Sequence, residues 1–133
     1  MRIVHTMIRV KDLDLATDFY TQVLGMTLLR RSDHSSEGYT LAYVGYGSAP
    51  RHHEIELTYN HDQRSYTQGT SWGHLAIWVN SAVEVCERAI ALGYQVIKEP
   101  SVNMDYQAVT AFVTDPDGHV IELIESVLGQ NPH

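Results

Sequence analysis

Apolar and polar residues alternate from the start of the chain. His5-Thr6-Met7-Ile8-Arg9-Val10 has the period of a strand, with His5, Met7 and Arg9 on one face. The period then lengthens. Asp12 can N-cap a helix whose buried side is Leu13, Ala16, Phe19, Tyr20, Val23 and Leu24, and Gly25 sits where a left-handed residue would end it. Met26 to Arg31 reads as a second strand, and a polar loop with His34, Ser35, Ser36 and Gly38 leads to a third, Tyr39 to Tyr46. Gly45, Gly47, Ser48 and Pro50 mark a turn. The fourth strand, Glu54 to Asn60, places Glu54, Glu56, Thr58 and Asn60 on one side and Ile55, Leu57 and Tyr59 on the other.

Residues 61–72 are rich in Asp, Gln, Ser, Thr and Gly and read as a linker, after which the same order restarts. Gly73 to Val79 is a strand opening at His74. Ser81 and Glu84 form a capping box, and the helix that follows is expected to bury Ala82, Val85, Cys86, Ala89 and Ile90 before Gly93 stops it. Tyr94 to Lys98 is a strand, Glu99 to Gln107 is irregular, and Ala108 to Val113 is a strand. Asp115-Pro116-Asp117-Gly118 is a turn by composition. In the last strand Glu122 shares a face with Val120 and Ile124 while Ile121 and Leu123 face away. The pattern is strand–helix–strand–strand–strand, twice. His5 precedes Gly25 by 20 positions and His74 precedes Gly93 by 19; His5 precedes Glu56 by 51 and His74 precedes Glu122 by 48. Each half therefore opens on a strand histidine and closes on a strand glutamate.

Composition narrows the partners. A length of 133 residues is one domain's worth of chain, and 44% hydrophobic with 19% charged residues is ordinary for a globular protein. The net charge of −7, from 16 acids and 9 bases, argues against nucleic acid or an anionic membrane as partner. An anionic small molecule would need a local cation. One cysteine, Cys86, leaves no internal disulfide and suits a reducing compartment. With no apolar run of membrane-spanning length and no signal-peptide pattern, a cytoplasmic location is expected.

Singly, a strand histidine or glutamate is most often a structural or solvated residue. Their recurrence at matching places is what raises His5, Glu56, His74 and Glu122 to candidate ligands: packed face to face by pseudo-twofold symmetry, the halves would gather two imidazoles and two carboxylates. His34, His52, His53, His61 and His119 fall in loops or turns and are taken as surface residues, with His133 set aside. Closed structural zinc sites are rich in cysteine, and a chain with one cysteine cannot build them. Two nitrogens and two oxygens leave room for two waters in an octahedron, suiting nickel, cobalt or manganese as well as zinc. Open positions allow Lewis-acid polarisation of substrate oxygens, and a carboxylate beside the ion can serve as general base. The matching reaction class is proton abstraction next to a carbonyl, through an enediolate.

These residues resemble the glyoxalase I family of the vicinal oxygen chelate superfamily over nearly the whole chain. The resemblance rests on His5 to Val10, Asp18-Phe19-Tyr20 through Leu24-Gly25-Met26, Leu41 to Tyr46, Glu56 to Asn60, Gly73-His74, and Asp115 to Gly118 through Glu122-Leu123-Ile124. It implies an α+β fold of two tandem βαβββ modules, about residues 1–62 and 73–126, forming a cupped mixed sheet in one domain over 1–133. By resemblance His5, Glu56, His74 and Glu122 hold one divalent metal per site. Glu122 matches the principal base, with Glu56 its counterpart, in isomerising the glutathione hemithioacetal of methylglyoxal to S-D-lactoylglutathione. Arg9 matches a contact to a glutathione carboxylate, and Asn60 a neighbouring contact. Similar zinc enzymes tend to carry glutamine at the first ligand position, so His5 in a short chain resembles the nickel- or cobalt-activated bacterial type. Such chains form homodimers in which each site takes His5 and Glu56 from one subunit and His74 and Glu122 from the other.

One stretch departs from the pattern. Where relatives carry a basic, glycine-containing loop over glutathione, this chain has Val102-Asn103-Met104-Asp105-Tyr106-Gln107. An acid in place of a cation raises the expected KM for an anionic thiol adduct with little change in kcat. Trp78 shares the His74 face and is expected to pack in the core. Rival readings are a thiol transferase or epimerase of the same superfamily, a ring-cleaving dioxygenase, which a fourth ligand argues against, and a metal-free binding module.

Overall fold

The computed structural model describes residues 1–48, 51–62 and 65–127. Pro50 of the predicted turn and His133 lie outside the described residues. The chain divides into two compact units, Met1–Gln68 and Gly69–His133, each with one four-stranded mixed sheet. The class is α+β.

In the first unit, β1 (His5–Arg9), β2 (Thr27–His34), β3 (Tyr39–Gly45) and β4 (Glu54–Asn60) lie in the order β1-β4-β3-β2. β2, β3 and β4 are successive antiparallel neighbours, whereas β1 runs parallel to β4. A parallel pair needs a crossover, and helix α1 (Leu13–Asp18) begins it, capped by Asp12, whose Oδ1 accepts from the Leu15 N–H at 2.9 Å. The one helix predicted here is in fact two pieces, because Phe19–Val23 widens into a π-helical turn. The hydroxyls of Thr17 and Thr21 donate to the carbonyls of Leu13 and Thr17, four residues back, a pattern that bends helices. The expected apolar side survives intact: Leu13, Ala16, Phe19, Tyr20, Val23 and Leu24 are all buried. Full burial of a side chain such as Phe19 stabilises by about 1.5–3 kcal/mol. Gly25, at φ 70°, ends the turn in the left-handed region. This segment covers the sheet face carrying Ile8, Ala42, Val44, Ile55 and Leu57, which leaves the face of His5 and Glu56 uncovered by it.

The second unit repeats the topology. β5 (Leu75–Trp78), β6 (Val96–Asn103), β7 (Ala108–Thr114) and β8 (Val120–Ser126) lie in the order β5-β8-β7-β6, with β5 parallel to β8. Helix α2 (Ala82–Ala91) starts at Ser81, whose Oγ accepts from the Glu84 N–H at 3.2 Å. A second anchor was not legible: Glu125 on β8 accepts from the Ala82 N–H at 2.8 Å, placing a carboxylate on the positive helix end.

Four expectations are corrected. Ile90 is 57% exposed; it lies about 100° beyond Ala89 around the helix, past the stripe of Ala82, Val85, Cys86 and Ala89. The irregular stretch predicted from Glu99 is largely strand, since β6 runs to Asn103 through two register shifts. It is an edge strand, which tolerates Pro100. Trp78 is exposed rather than packed in the core. His119 is buried, not on the surface. Asp115 organises that turn: its Oδ1 accepts from the N–H groups of Asp117 and His119, and its Oδ2 lies 2.8 Å from His119 Nδ1. Burial alone disfavours the charged imidazole, but the hydrogen bond and charge of Asp115, with Asp117, outweigh it and raise the His119 pKa.

Candidate metal centre and active site

Sheet register builds the same donor pair in both units. In the first, Met7 on β1 is opposite Glu56 on β4, and His5 lies two residues before Met7. In the second, Ala76 on β5 is opposite Glu122 on β8, and His74 lies two residues before Ala76. Residues two apart share a strand face, so each imidazole leans across to the carboxylate of the neighbouring strand. His5 Nε2 is 2.9 Å from Glu56 Oε2, and His74 Nε2 is 3.0 Å from Glu122 Oε2. Such a spacing is a hydrogen bond when Nε2 carries the proton. It is also the separation, about 3.0 Å, of two donors at right angles on one ion with bonds of about 2.1 Å. Each pair can therefore exchange its shared proton for an ion without moving apart. Among the described residues no three His, Cys, Asp or Glu side chains gather to hold an ion.

Behind the first pair stands a row of side chains across three strands. Arg30 on β2 is opposite Tyr43 on β3, and Tyr43 is opposite Glu56. The Tyr43 hydroxyl donates to Glu56 Oε2 at 2.9 Å, and its ring stands edge-on to the His5 ring at 5.9 Å. Burial, then the hydrogen bond to Glu56, raises the Tyr43 pKa, so the phenol keeps the proton it donates. The Arg30 guanidinium lies 3.7 Å over the Tyr43 ring and makes two parallel hydrogen bonds to Glu54, at 3.0 and 2.7 Å. Glu54 is completely buried, which a carboxylate sustains only with such a partner. The bond to Glu54 keeps the Arg30 pKa above its ordinary value. None of Arg30, Tyr43 and Glu54 was singled out from the sequence. The available signal was Glu54 itself, an acid two positions before a candidate ligand on the same strand face.

The other predicted contacts are less uniform. Arg9, on the His5 face, is exposed and has no ion-pair partner among the described residues. Asn60 is half-buried, and its Nδ2 donates to the Tyr66 hydroxyl at 2.9 Å, so part of its hydrogen-bonding capacity is already used. Residues 104–107 form the turn between β6 and β7. Asp105 is exposed, and its N–H donates to Asn103 Oδ1 at 3.1 Å. Gln107 has a φ of 49°, a left-handed conformation that costs a residue with a side chain about 1 kcal/mol.

Residues 2–123 match the model of the Glyoxalase/Bleomycin resistance protein/Dioxygenase superfamily. The chain belongs to this superfamily. Within it, the lactoylglutathione lyase of Escherichia coli O157:H7 is 49% identical over 125 residues, covering 94% of this chain and 93% of the relative. The glyoxalase I structure from Leishmania major, described as trypanothione-dependent, superposes with a TM-score of 0.84 at 39% identity, covering 94% of this chain and 86% of that one. The glyoxalase I structure from Zea mays superposes with a TM-score of 0.88 at 38% identity over 93% of this chain, which spans 44% of the maize chain.

Proposed function

We propose that the protein is a lactoylglutathione lyase: it isomerises the hemithioacetal of methylglyoxal and glutathione to S-D-lactoylglutathione, removing methylglyoxal. The observation that carries this is the duplicated His–Glu pair, His5 with Glu56 and His74 with Glu122, in a chain 49% identical to a lactoylglutathione lyase over nearly its full length. The four side chains would hold one divalent ion per site. The two-nitrogen, two-oxygen set with histidine in first place favours nickel or cobalt over zinc. Two donors per unit fit a homodimer whose sites combine His5 and Glu56 of one subunit with His74 and Glu122 of the other. Bound there, the ion would polarise the vicinal oxygens of the substrate.

The chain's own residues supply the rest. Glu122 takes the proton from the carbon bearing sulfur and returns it to the adjacent carbon, with Glu56 opposite. Arg9 offers its guanidinium to a carboxylate of the thiol, supplying the local cation that a net charge of −7 requires, and Asn60 offers a neighbouring polar contact. No helix among the described residues is long and apolar enough to cross a membrane. The single cysteine, Cys86, is buried, in keeping with work in the reducing cytoplasm.

Metal-stripped protein tests the reading. Nickel or cobalt restores hemithioacetal isomerisation, followed at the thioester absorbance, and zinc restores little. No activity with any of the three, in protein shown to bind the ion, would sink the substrate assignment. The exposed Asp105 turn gives a second expectation. Asp105→Lys lowers KM for the glutathione adduct by about 3- to 5-fold with kcat little changed, as one rim charge does. An unchanged KM would remove that turn from the substrate's path.

A further inference from the structure

The two donor pairs have nearly the same geometry but different surroundings. Arg30, Tyr43, Glu56 and Met7 form a cross-strand row in the first unit, and Lys98, Phe112, Glu122 and Ala76 occupy the same register in the second. The aromatic rings stand alike toward their histidines, at 5.9 Å and 77° for Tyr43 and 5.7 Å and 82° for Phe112. A cation lies over each ring, Arg30 at 3.7 Å and Lys98 at 5.6 Å. The carboxylates are nearly equally accessible, with side-chain exposures of 14% for Glu56 and 16% for Glu122. What differs is hydroxyl groups. Glu56 receives the Tyr43 hydroxyl on Oε2 at 2.9 Å and the Thr58 hydroxyl on Oε1 at a longer 3.4 Å. At the matching places the second unit has Phe112 and Ile124, neither of which can donate. Among the described residues, His74 is the sole ion-pair or hydrogen-bond partner of the Glu122 carboxylate.

We infer that Tyr43 and Thr58 are positioning residues: their hydroxyls tether Glu56, whereas Phe112 and Ile124 at the matching places leave Glu122 without such a tether. A carboxylate held at both oxygens as well as by an imidazole resists rotation and presents a preorganised donor. One held by an imidazole alone can swing between two positions at little cost. In a symmetric scaffold either glutamate could serve as base, so something outside the donor set must choose. The hydroxyl content of the flanking strands makes that choice before any substrate binds. The inference rests on the isomerase reading for the base role of Glu122, but the tethering of Glu56 stands independently of it.

The test transplants the hydroxyls and reads metal binding apart from turnover. Phe112→Tyr places a phenol toward Glu122 as Tyr43 is placed toward Glu56, and Ile124→Thr adds the second hydroxyl should the first variant fold poorly. Either change lowers kcat by about tenfold or more while nickel affinity, titrated calorimetrically into stripped protein, is held or tightened. Tyr43→Phe weakens nickel binding by about tenfold, the size of effect that loss of a ligand's supporting partner produces. A merely structural role for Tyr43 would lower the melting temperature without a selective loss of affinity. Folded Phe112→Tyr or Ile124→Thr protein with wild-type kcat would overturn the inference, as would Tyr43→Phe protein with wild-type nickel affinity. Should wild-type protein show no isomerase activity, the reading above fails instead, and the nickel affinity of Tyr43→Phe still decides whether Glu56 is tethered.

Discussion

Replacing Glu122 by glutamine is expected to lower kcat by about 10²–10⁴-fold, the contribution of a positioned general base. The amide keeps the shape of the side chain and one oxygen donor but cannot accept a proton at neutral pH. Glu122 is partly exposed, and among the described residues its carboxylate has His74 as partner, so the variant should fold like the parent. Nickel content by elemental analysis, circular dichroism and saturating-substrate rates would separate a lost base from a lost ion. A kcat within about tenfold of the parent in nickel-loaded Glu122→Gln protein would move the base role elsewhere.

The second large effect concerns stability. Arg30→Leu removes a guanidinium that makes two parallel hydrogen bonds to a carboxylate with no exposed surface, and breaking a buried pair on one side costs about 3–5 kcal/mol. The low end of that range applies, because Arg30 itself is half exposed. The second unit indicates the rescue. At the places of Arg30 and Glu54 it carries Lys98 and Val120, so the same sheet position is satisfied without a buried acid. The double variant Arg30→Leu/Glu54→Val should therefore recover most of the lost stability, since apolar replacement of a buried pair is often neutral or better. Thermal melts of the two variants check this. A single variant as stable as the parent would show that water reaches Glu54. A double variant as unstable as the single would assign the loss to the stacking of Arg30 on Tyr43.

The sequence exposed what depends on period and repetition. Strand faces, the apolar side of the first helix and the matching positions of the histidine and glutamate in each half all follow from spacing, and the imidazoles of His5 and His74 lie 2.9 and 3.0 Å from the carboxylates of Glu56 and Glu122. What stayed hidden depends on partners distant in the chain. Glu54 and Arg30 are 24 residues apart and meet only because β2, β3 and β4 align. His119 looked like a polar turn residue, and only the fold shows Asp115 closing on it and Trp72 standing edge-on at 5.7 Å. The stretch from Glu99 to Asn103 reads as irregular because edge position, which tolerates Pro100, cannot be seen before strand order is known. Thr17 and Thr21 are likewise ordinary helix-face residues until their hydroxyls are placed on carbonyls four residues back.

The parallel pairing of β1 with β4 sets the order in which the first module can be completed. β2, β3 and β4 are sequence neighbours and can zip as local hairpins, but β1 must wait for a partner about fifty residues downstream, and such distant contacts form late. At synthesis rates of about 5–20 residues per second, His5 leaves the ribosome several seconds before Glu56 exists to meet it. The nascent module thus passes through a stage with a sheet but no paired donors, and the docking of β1 completes the sheet and the ligand pair in a single event. A chain that has not docked β1 therefore lacks the His5–Glu56 pair altogether.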